Sequence, residues 1–230
     1  LIKKQVSSKT KMIITNNPHN PSGRTWNDSD MNELGRLLDH YPNLYLLSDE
    51  VYEYITFEKN HLSAHSYEAL KSKSIVVSSF GKTLHVTGWK MGYLVAEKNI
   101  MDEIKKIHQY MVFSVNSLCQ HVVFEYLKSS NLQDIGSMYQ AKRNQFRVGL
   151  EQSRFKILPC DGTYFQTLDY STISDKNDVE FAEELTKEFG VASIPISVFS
   201  ENNTHKNILR FCFAKQNETL EKATSLLCKI

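Results

Sequence analysis

The sequence predicts an α/β protein whose first half builds a mostly parallel sheet with helices, followed by a smaller α+β domain. Three observations predict it. Short apolar runs alternate with helical periodicity over the first hundred residues, the pattern of strands joined by helical crossovers. Three polar groups, Asn20, Asp49 and Lys82, follow three of those runs, where open α/β sheets place their ligands. After about residue 150 the helical pattern gives way to shorter strands and helices.

The elements follow in order. "KMIIT" is a strand that runs into the Asn/Pro turn "NNPHNPSG". Residues 26–39 carry Met31, Leu34, Leu37 and Leu38 at helical spacing. "NLYLLS" is a second strand ending at Asp49, "SIVVSS" a third leading to Lys82, and "MGYLVAE" a fourth. "NIMDEIKKIHQYM" and "SLCQHVVFEYLK" repeat apolar residues at three- and four-residue steps, as helices do. An amphipathic stretch over 134–155 reads as a connecting helix. Beyond it, "FKILPCDGTYFQTLDY", "GVASIPISVF" and "NILRFCFAK" read as strands, with helices over 178–189 and 218–228 capped by Asp178 and Asn217. The expected domains are therefore 1–150 and 151–230.

Composition narrows the function classes. The 27 basic and 26 acidic residues nearly cancel to +1, so no broad cationic field exists to recruit nucleic acid or a membrane surface. No apolar stretch approaches the roughly 20 residues that span a bilayer. The four cysteines, Cys119, Cys160, Cys212 and Cys228, lie far apart without a C-x-x-C pair, which argues against a zinc site and a disulfide framework and for a reducing, cytoplasmic setting. The eight histidines show no repeated metal-like spacing. The opening "LIKKQVSSKTKMIITNN" reaches a strand within about a dozen residues, as if the chain began inside a larger fold.

Lys82 stands in "SSFGKT". Glycine-lysine-threonine closes the phosphate-loop pattern G-x-x-x-x-G-K-[ST], but that pattern needs a glycine where this chain has Val76. Taken singly, Asp49 reads as a strand-end turn residue, Asn20 as an Asx turn before proline, and Lys82 as a solvated cation. Their occurrence as a set argues otherwise.

The ordered motifs "NNPHNPSG", "SDEVYE", "SSFGKT", "GWKMG" and "NILRFCFAK" resemble the class I/II aminotransferases of fold type I, which use pyridoxal 5'-phosphate (PLP). The resemblance runs from about residue 10 to the end, and "SSFGKTLHVTGWKMGY" and "GTYFQTLDYS" look most like the methionine and kynurenine-oxoglutarate branch. It implies that Lys82 forms the Schiff base with PLP and then moves the proton at the substrate Cα. Asp49 would pair with the pyridine nitrogen, keeping the ring an electron sink. Tyr52 and Asn20 would hydrogen-bond the phenolic oxygen, and Ser79 and Lys90 would contact the phosphate. At the Lys90 position the commonest family pattern has arginine. Lysine offers a compact charge in place of a two-pronged fork, so it fixes phosphate geometry less tightly. Arg210 would grip the substrate α-carboxylate in a bidentate contact, Asn20 assisting. His19, His85, Tyr164, Asn116 and Phe113 lie near motif residues and read as structural.

The resemblance also implies a homodimer and a ping-pong transfer from a methionine-like or aromatic amino acid to a 2-oxo acid. The phosphate-binding loop of small residues, the aromatic that stacks on the cofactor and groups reaching the neighbouring subunit fall before residue 1. The isolated 230-residue chain is accordingly expected to bind PLP weakly and turn over poorly. Two other readings stay open: a PLP-dependent carbon-sulfur β-lyase, which would release ammonia and pyruvate, and a non-catalytic PLP-binding module.

Overall fold

The computed structural model describes residues 2–201 and 207–230. The chain forms two compact units, one from 1–18, 25–54 and 60–133, the other from 19–24, 55–59 and 134–230. The sequence placed a boundary near 150; the contacts instead assign the helix over 133–149, from Asp134 onward, to the second unit.

In the first unit, β1 (Met12–Asn16), β2 (Tyr45–Asp49), β3 (Ser74–Ser79) and β4 (Gly92–Ala96) form one sheet in that order. The first three strands are parallel and β4 is antiparallel to β3. Helix α1 (Asp28–His40) lies in the crossover from β1 to β2. Asn27 caps it in a capping box with Asp30, each side chain accepting from the other's backbone N–H. Its apolar stripe of Met31, Leu34, Leu37 and Leu38 packs with Ile13, Leu46, Leu70 and Val76 into one core. The short helices α2 (Glu68–Lys71) and α3 (Phe80–Thr83) flank β3. After β4 come α4 (Lys98–Met111) and α5 (Ser117–Ser129); Tyr110, Met111 and Leu118 on these helices and Phe113 in the connection between them are exposed.

The sheet is covered unevenly. Alternate residues Ile13, Leu46 and Val76 are buried on the α1 side, whereas Met12, Ile14 and Tyr45 on the other side are exposed, Ile14 at 71%. Parallel strands ordinarily have both faces covered.

The second unit holds α6 (Gln133–Gly149), β5 (Lys156–Ile157), β6 (Phe165–Asp169), α7 (Asp178–Phe189), β7 (Ile194–Pro195), β8 (Ile208–Cys212) and α8 (Asn217–Leu227). Its sheet runs β5-β6-β8-β7, all antiparallel. Aromatic rings fill the core: Tyr170 lies 4.3 Å from Phe181 between centroids, and Phe155 6.3 Å from both Phe181 and Phe211.

Four expectations are corrected here. The connecting helix stops at Gly149, well short of 155; a Cβ there would stand 2.5 Å from Thr224 Oγ1, so the glycine lets α8 approach. "FKILPCDGTYFQTLDY" divides into β5 and β6, with Pro159 and the positive φ of Thr163 between them. "GVASIPISVF" gives only the two residues of β7 and a 3-10 turn at Ser197–Phe199, since Pro195 lacks a ladder donor. The expected caps each shift by one residue. Asn177, not Asp178, accepts from Glu180 N, and Gln216 precedes α8 without a side-chain cap.

Asp178 does different work. Buried in the second unit, its carboxylate accepts from Ser197 N and from Ser197 Oγ, both at 2.7 Å, and so pins the turn after β7. Asp178→Ala is expected to lower the unfolding free energy by about 2 kcal/mol, because two buried donors lose their charged acceptor. Exposed Asp175→Ala should change it by less than about 0.5 kcal/mol. Urea denaturation of both variants checks the difference.

Candidate active site

Each unit contributes residues that the sequence singled out. In the first unit these are Asp49, Tyr52, Ser79, Lys82 and Lys90, and in the second Asn20 and Arg210.

Asp49 is the last residue of β2. Its backbone carbonyl accepts from Asn17 N and Asn16 Nδ2, both at 3.0 Å, and its Oδ1 accepts from Val51 N at 3.2 Å. The Asx turn expected of an isolated Asp is thus present, with further influences on the carboxyl. Burial raises its proton affinity above the usual carboxylate range; the Val51 N–H and the Lys82 charge pull the other way, and Glu50 adds to the rise. Lys82 therefore lies within electrostatic reach of Asp49. Asp49 ends β2, and Lys82 follows the end of the neighbouring β3 by three residues.

Lys82 sits in the single turn of α3 directly after β3 and is partly exposed. Ser79 caps that turn, its Oγ accepting from Gly81 N at 3.1 Å and donating to Met91 O at 3.2 Å. Gly81 fits because a Cβ would lie 3.0 Å from Thr87 Cα. A phosphate contact from Ser79 would need its hydroxyl hydrogen to turn away from Met91. Lys90 is exposed and left-handed at φ 55, ψ 42, closing the 3-10 turn Thr87–Trp89. Tyr52, three residues after Asp49, is 2% exposed.

In the second unit, Arg210 Nη1 donates to Asn20 Oδ1 at 2.6 Å across 190 positions of sequence. The guanidinium also stacks over Phe165 at 4.1 Å and Phe199 at 5.2 Å from their ring centroids. With Oδ1 turned to Arg210, the group that Asn20 offers to an oxygen ligand is its amide N–H. Tyr164 packs on Tyr139 and Phe165, and Asn116 caps α5 by accepting from Cys119 N. Phe113 and His85 are exposed.

One cluster escaped the sequence reading. Glu50, next to Asp49, is 0% exposed and paired with His61. The only signal was a glutamate that directly follows the strand-end aspartate in "SDEVYE", and nothing local marks it as buried. Among the described residues, no group of three or more His, Cys, Asp or Glu could hold a metal ion, and no helix is long and apolar enough to cross a membrane.

A sequence model of the aminotransferase class I and II family matches residues 1–227. The chain belongs to this family. Its members use PLP. The chain is 42% identical over 225 residues to methionine aminotransferase of Escherichia coli, covering 96% of itself and 58% of that protein. It is 35% identical to kynurenine–oxoglutarate transaminase of Dictyostelium discoideum, covering 97% and 57%. The crystal structure of YbdL from Escherichia coli, for which a methionine aminotransferase function is described, superposes with a TM-score of 0.96 at 40% identity, over 100% of this chain and 60% of that one. N-succinyldiaminopimelate aminotransferase from Mycobacterium tuberculosis gives 0.92 at 26% identity, with 99% and 60% covered. The chain thus spans about three fifths of the length of the relatives it matches. The fold is that of fold type I, with a partial, mostly parallel sheet in the first unit and an α+β second unit.

The donor set of the first unit suits PLP. It offers a half-buried carboxylate of raised basicity for a ring N–H, an amine within that carboxylate's field for an aldehyde, and a serine hydroxyl and an exposed lysine of the kinds that hold a phosphate.

Proposed function

We propose that the protein is a PLP-dependent aminotransferase moving an α-amino group from a methionine-like or aromatic amino acid to a 2-oxo acid. The observation that carries this is the common field of Asp49 and Lys82 at adjacent strand ends, in a chain whose relatives include methionine and kynurenine–oxoglutarate transaminases. The first unit would be the later part of the large cofactor-binding domain and the second the small domain.

The proposed roles follow from each group's chemistry. When bound, PLP supplies an electron sink for charge left at the substrate Cα. Lys82 would hold the cofactor through Nζ and, when free, would carry the proton between the substrate Cα and the cofactor side. Asp49 would hold a proton on the ring nitrogen. By the family resemblance Tyr52 and Asn20 would donate to the ring oxygen, and Ser79 and Lys90 would hold the phosphate. Arg210 takes the substrate α-carboxylate, its fork oriented beforehand by Asn20 and by the rings of Phe165 and Phe199. The exposed Tyr110, Met111, Phe113 and Leu118 of the first unit favour assembly as a homodimer, and four free cysteines favour a cytoplasmic setting.

Product analysis tests the reaction type. A transaminase returns the donor skeleton as a 2-oxo acid only when an acceptor is supplied; ammonia and pyruvate from a sulfur amino acid would mark a β-lyase instead. Arg210→Ala is expected to lower kcat/KM about 10- to 100-fold, the loss of a charged pair of hydrogen bonds. Most of the effect should fall on KM for both amino and 2-oxo acid, because both carry the carboxylate. Arg210→Lys should recover only part of it, since lysine lacks the fork. Steady-state kinetics with both substrates check this, and an unchanged KM would remove Arg210 from the site.

A further inference from the structure

Glu50 is fully buried. A carboxylate withdrawn from water costs several kcal/mol unless its oxygens are satisfied. Here they are: Ser48 Oγ donates to Oε1 at 2.8 Å, Ala64 N donates to the same oxygen at 2.9 Å, and Oε2 lies 2.7 Å from His61 Nε2. Burial alone would raise the pKa of this carboxyl. The His61 hydrogen bond and charge, with the Ala64 N–H and the Ser48 hydroxyl, bring it below the usual range, so the group is held as an anion. His61 is itself almost buried, and its Nδ1 makes no hydrogen bond. Its ring is oriented through Nε2 toward Glu50.

Glu50 directly follows Asp49, and the backbone there is fixed on both sides. The Asp49 carbonyl is bound by Asn16 and Asn17 at the β1 side, while Glu50 N donates to Val77 O of β3 at 2.8 Å. Adjacent residues at a strand end project to opposite sides. Anchoring the Glu50 carboxylate to the 61–64 segment therefore fixes the side of the strand from which Asp49 projects, opposite to Glu50. We propose that Glu50, backed by His61, is the positioning residue for the Asp49 carboxylate. The inference rests on the reading of Asp49 as the partner of the cofactor's ring nitrogen. The Glu50 charge serves the same end, because a neighbouring anion makes Asp49 a stronger proton acceptor.

A merely structural Glu50 would weaken every ligand alike, whereas a positioning Glu50 acts only on what Asp49 touches. The purified protein, Glu50→Gln, His61→Gln and Asp49→Asn are titrated with PLP and with its carbocyclic analogue, in which C–H replaces the ring nitrogen. The wild type should prefer PLP about tenfold or more, the range of a charged hydrogen bond. Asp49→Asn should erase that preference. In Glu50→Gln the preference should fall about threefold or more, as expected for residues that couple directly, while affinity for the analogue stays within about twofold and the near-ultraviolet circular dichroism is retained. A folded Glu50→Gln protein that keeps the wild-type preference, or loses affinity for both ligands equally, overturns the proposal. If Glu50→Gln does not fold, His61→Gln decides by the same criterion. Failure of the underlying reading looks different: wild type and Asp49→Asn would both bind the two ligands equally, whatever Glu50 does.

Discussion

Replacing Lys82 with alanine is expected to lower turnover about ten-thousand-fold, the upper range for loss of a positioned proton-transfer group that is also the nucleophile. It should also abolish the visible absorption that added PLP acquires on covalent attachment. Structure makes this a clean experiment, because Lys82 is partly exposed in a single helical turn. Its removal should change folding stability by no more than about 0.5 kcal/mol. Lys98, whose amine pairs with Asp102, serves as a control. Small primary amines added to Lys82→Ala should restore part of the activity by supplying the missing base. Absorption titrations, single-turnover kinetics and amine rescue measure the three effects. Wild-type turnover by a folded Lys82→Ala protein would exclude the assigned role.

Asp49→Ala comes next, with an expected loss of about 10²–10³-fold in kcat, the scale of removing one preorganised electrostatic group. The more telling consequence concerns stability without cofactor. Burial is the first cause of the raised Asp49 pKa, with Glu50 adding to it. A carboxyl whose folded pKa lies above its unfolded one contributes stability that is complete below the unfolded value. That contribution disappears as pH rises through the folded value. At neutral pH the ionised Asp49 thus works against the folded state. Asp49→Asn should melt at a higher temperature than the wild type at pH 7 without PLP, and the advantage should vanish on acidification below the carboxylate range. With PLP present the order should reverse, because the wild type alone gains the ring-nitrogen contact. Thermal melts at several pH values, with and without PLP, check the sign. Such opposition between local stability and function is common where a charge is held half-buried for chemistry.

Much of this was readable from the residues. The helical stripe of α1 and the limits of α7 follow from periodicity, and the strands of the first sheet from short apolar runs that end in polar residues. Asp49 and Lys82 could be singled out because each stands at the end of such a run. What the sequence did not show depends on tertiary contact. The Arg210–Asn20 bond joins residues 190 positions apart, and Glu50 looks like any surface glutamate until the 61–64 segment folds over it. The cap at α7 was misplaced by one residue because Asn177 and Asp178 are both good caps, and only the distant Ser197 claims the second. At Gly149, the last residue of α6, Thr224 leaves no room for a Cβ, a neighbour that periodicity cannot see.

A crystal structure of the protein grown with PLP tests the central assignment most directly. Continuous density between Lys82 Nζ and the cofactor, with the ring nitrogen at hydrogen-bonding distance from the Asp49 carboxylate, is the predicted result. A cofactor bound elsewhere, or a ring whose nitrogen points away from Asp49 while Lys82 stays unattached, would contradict it.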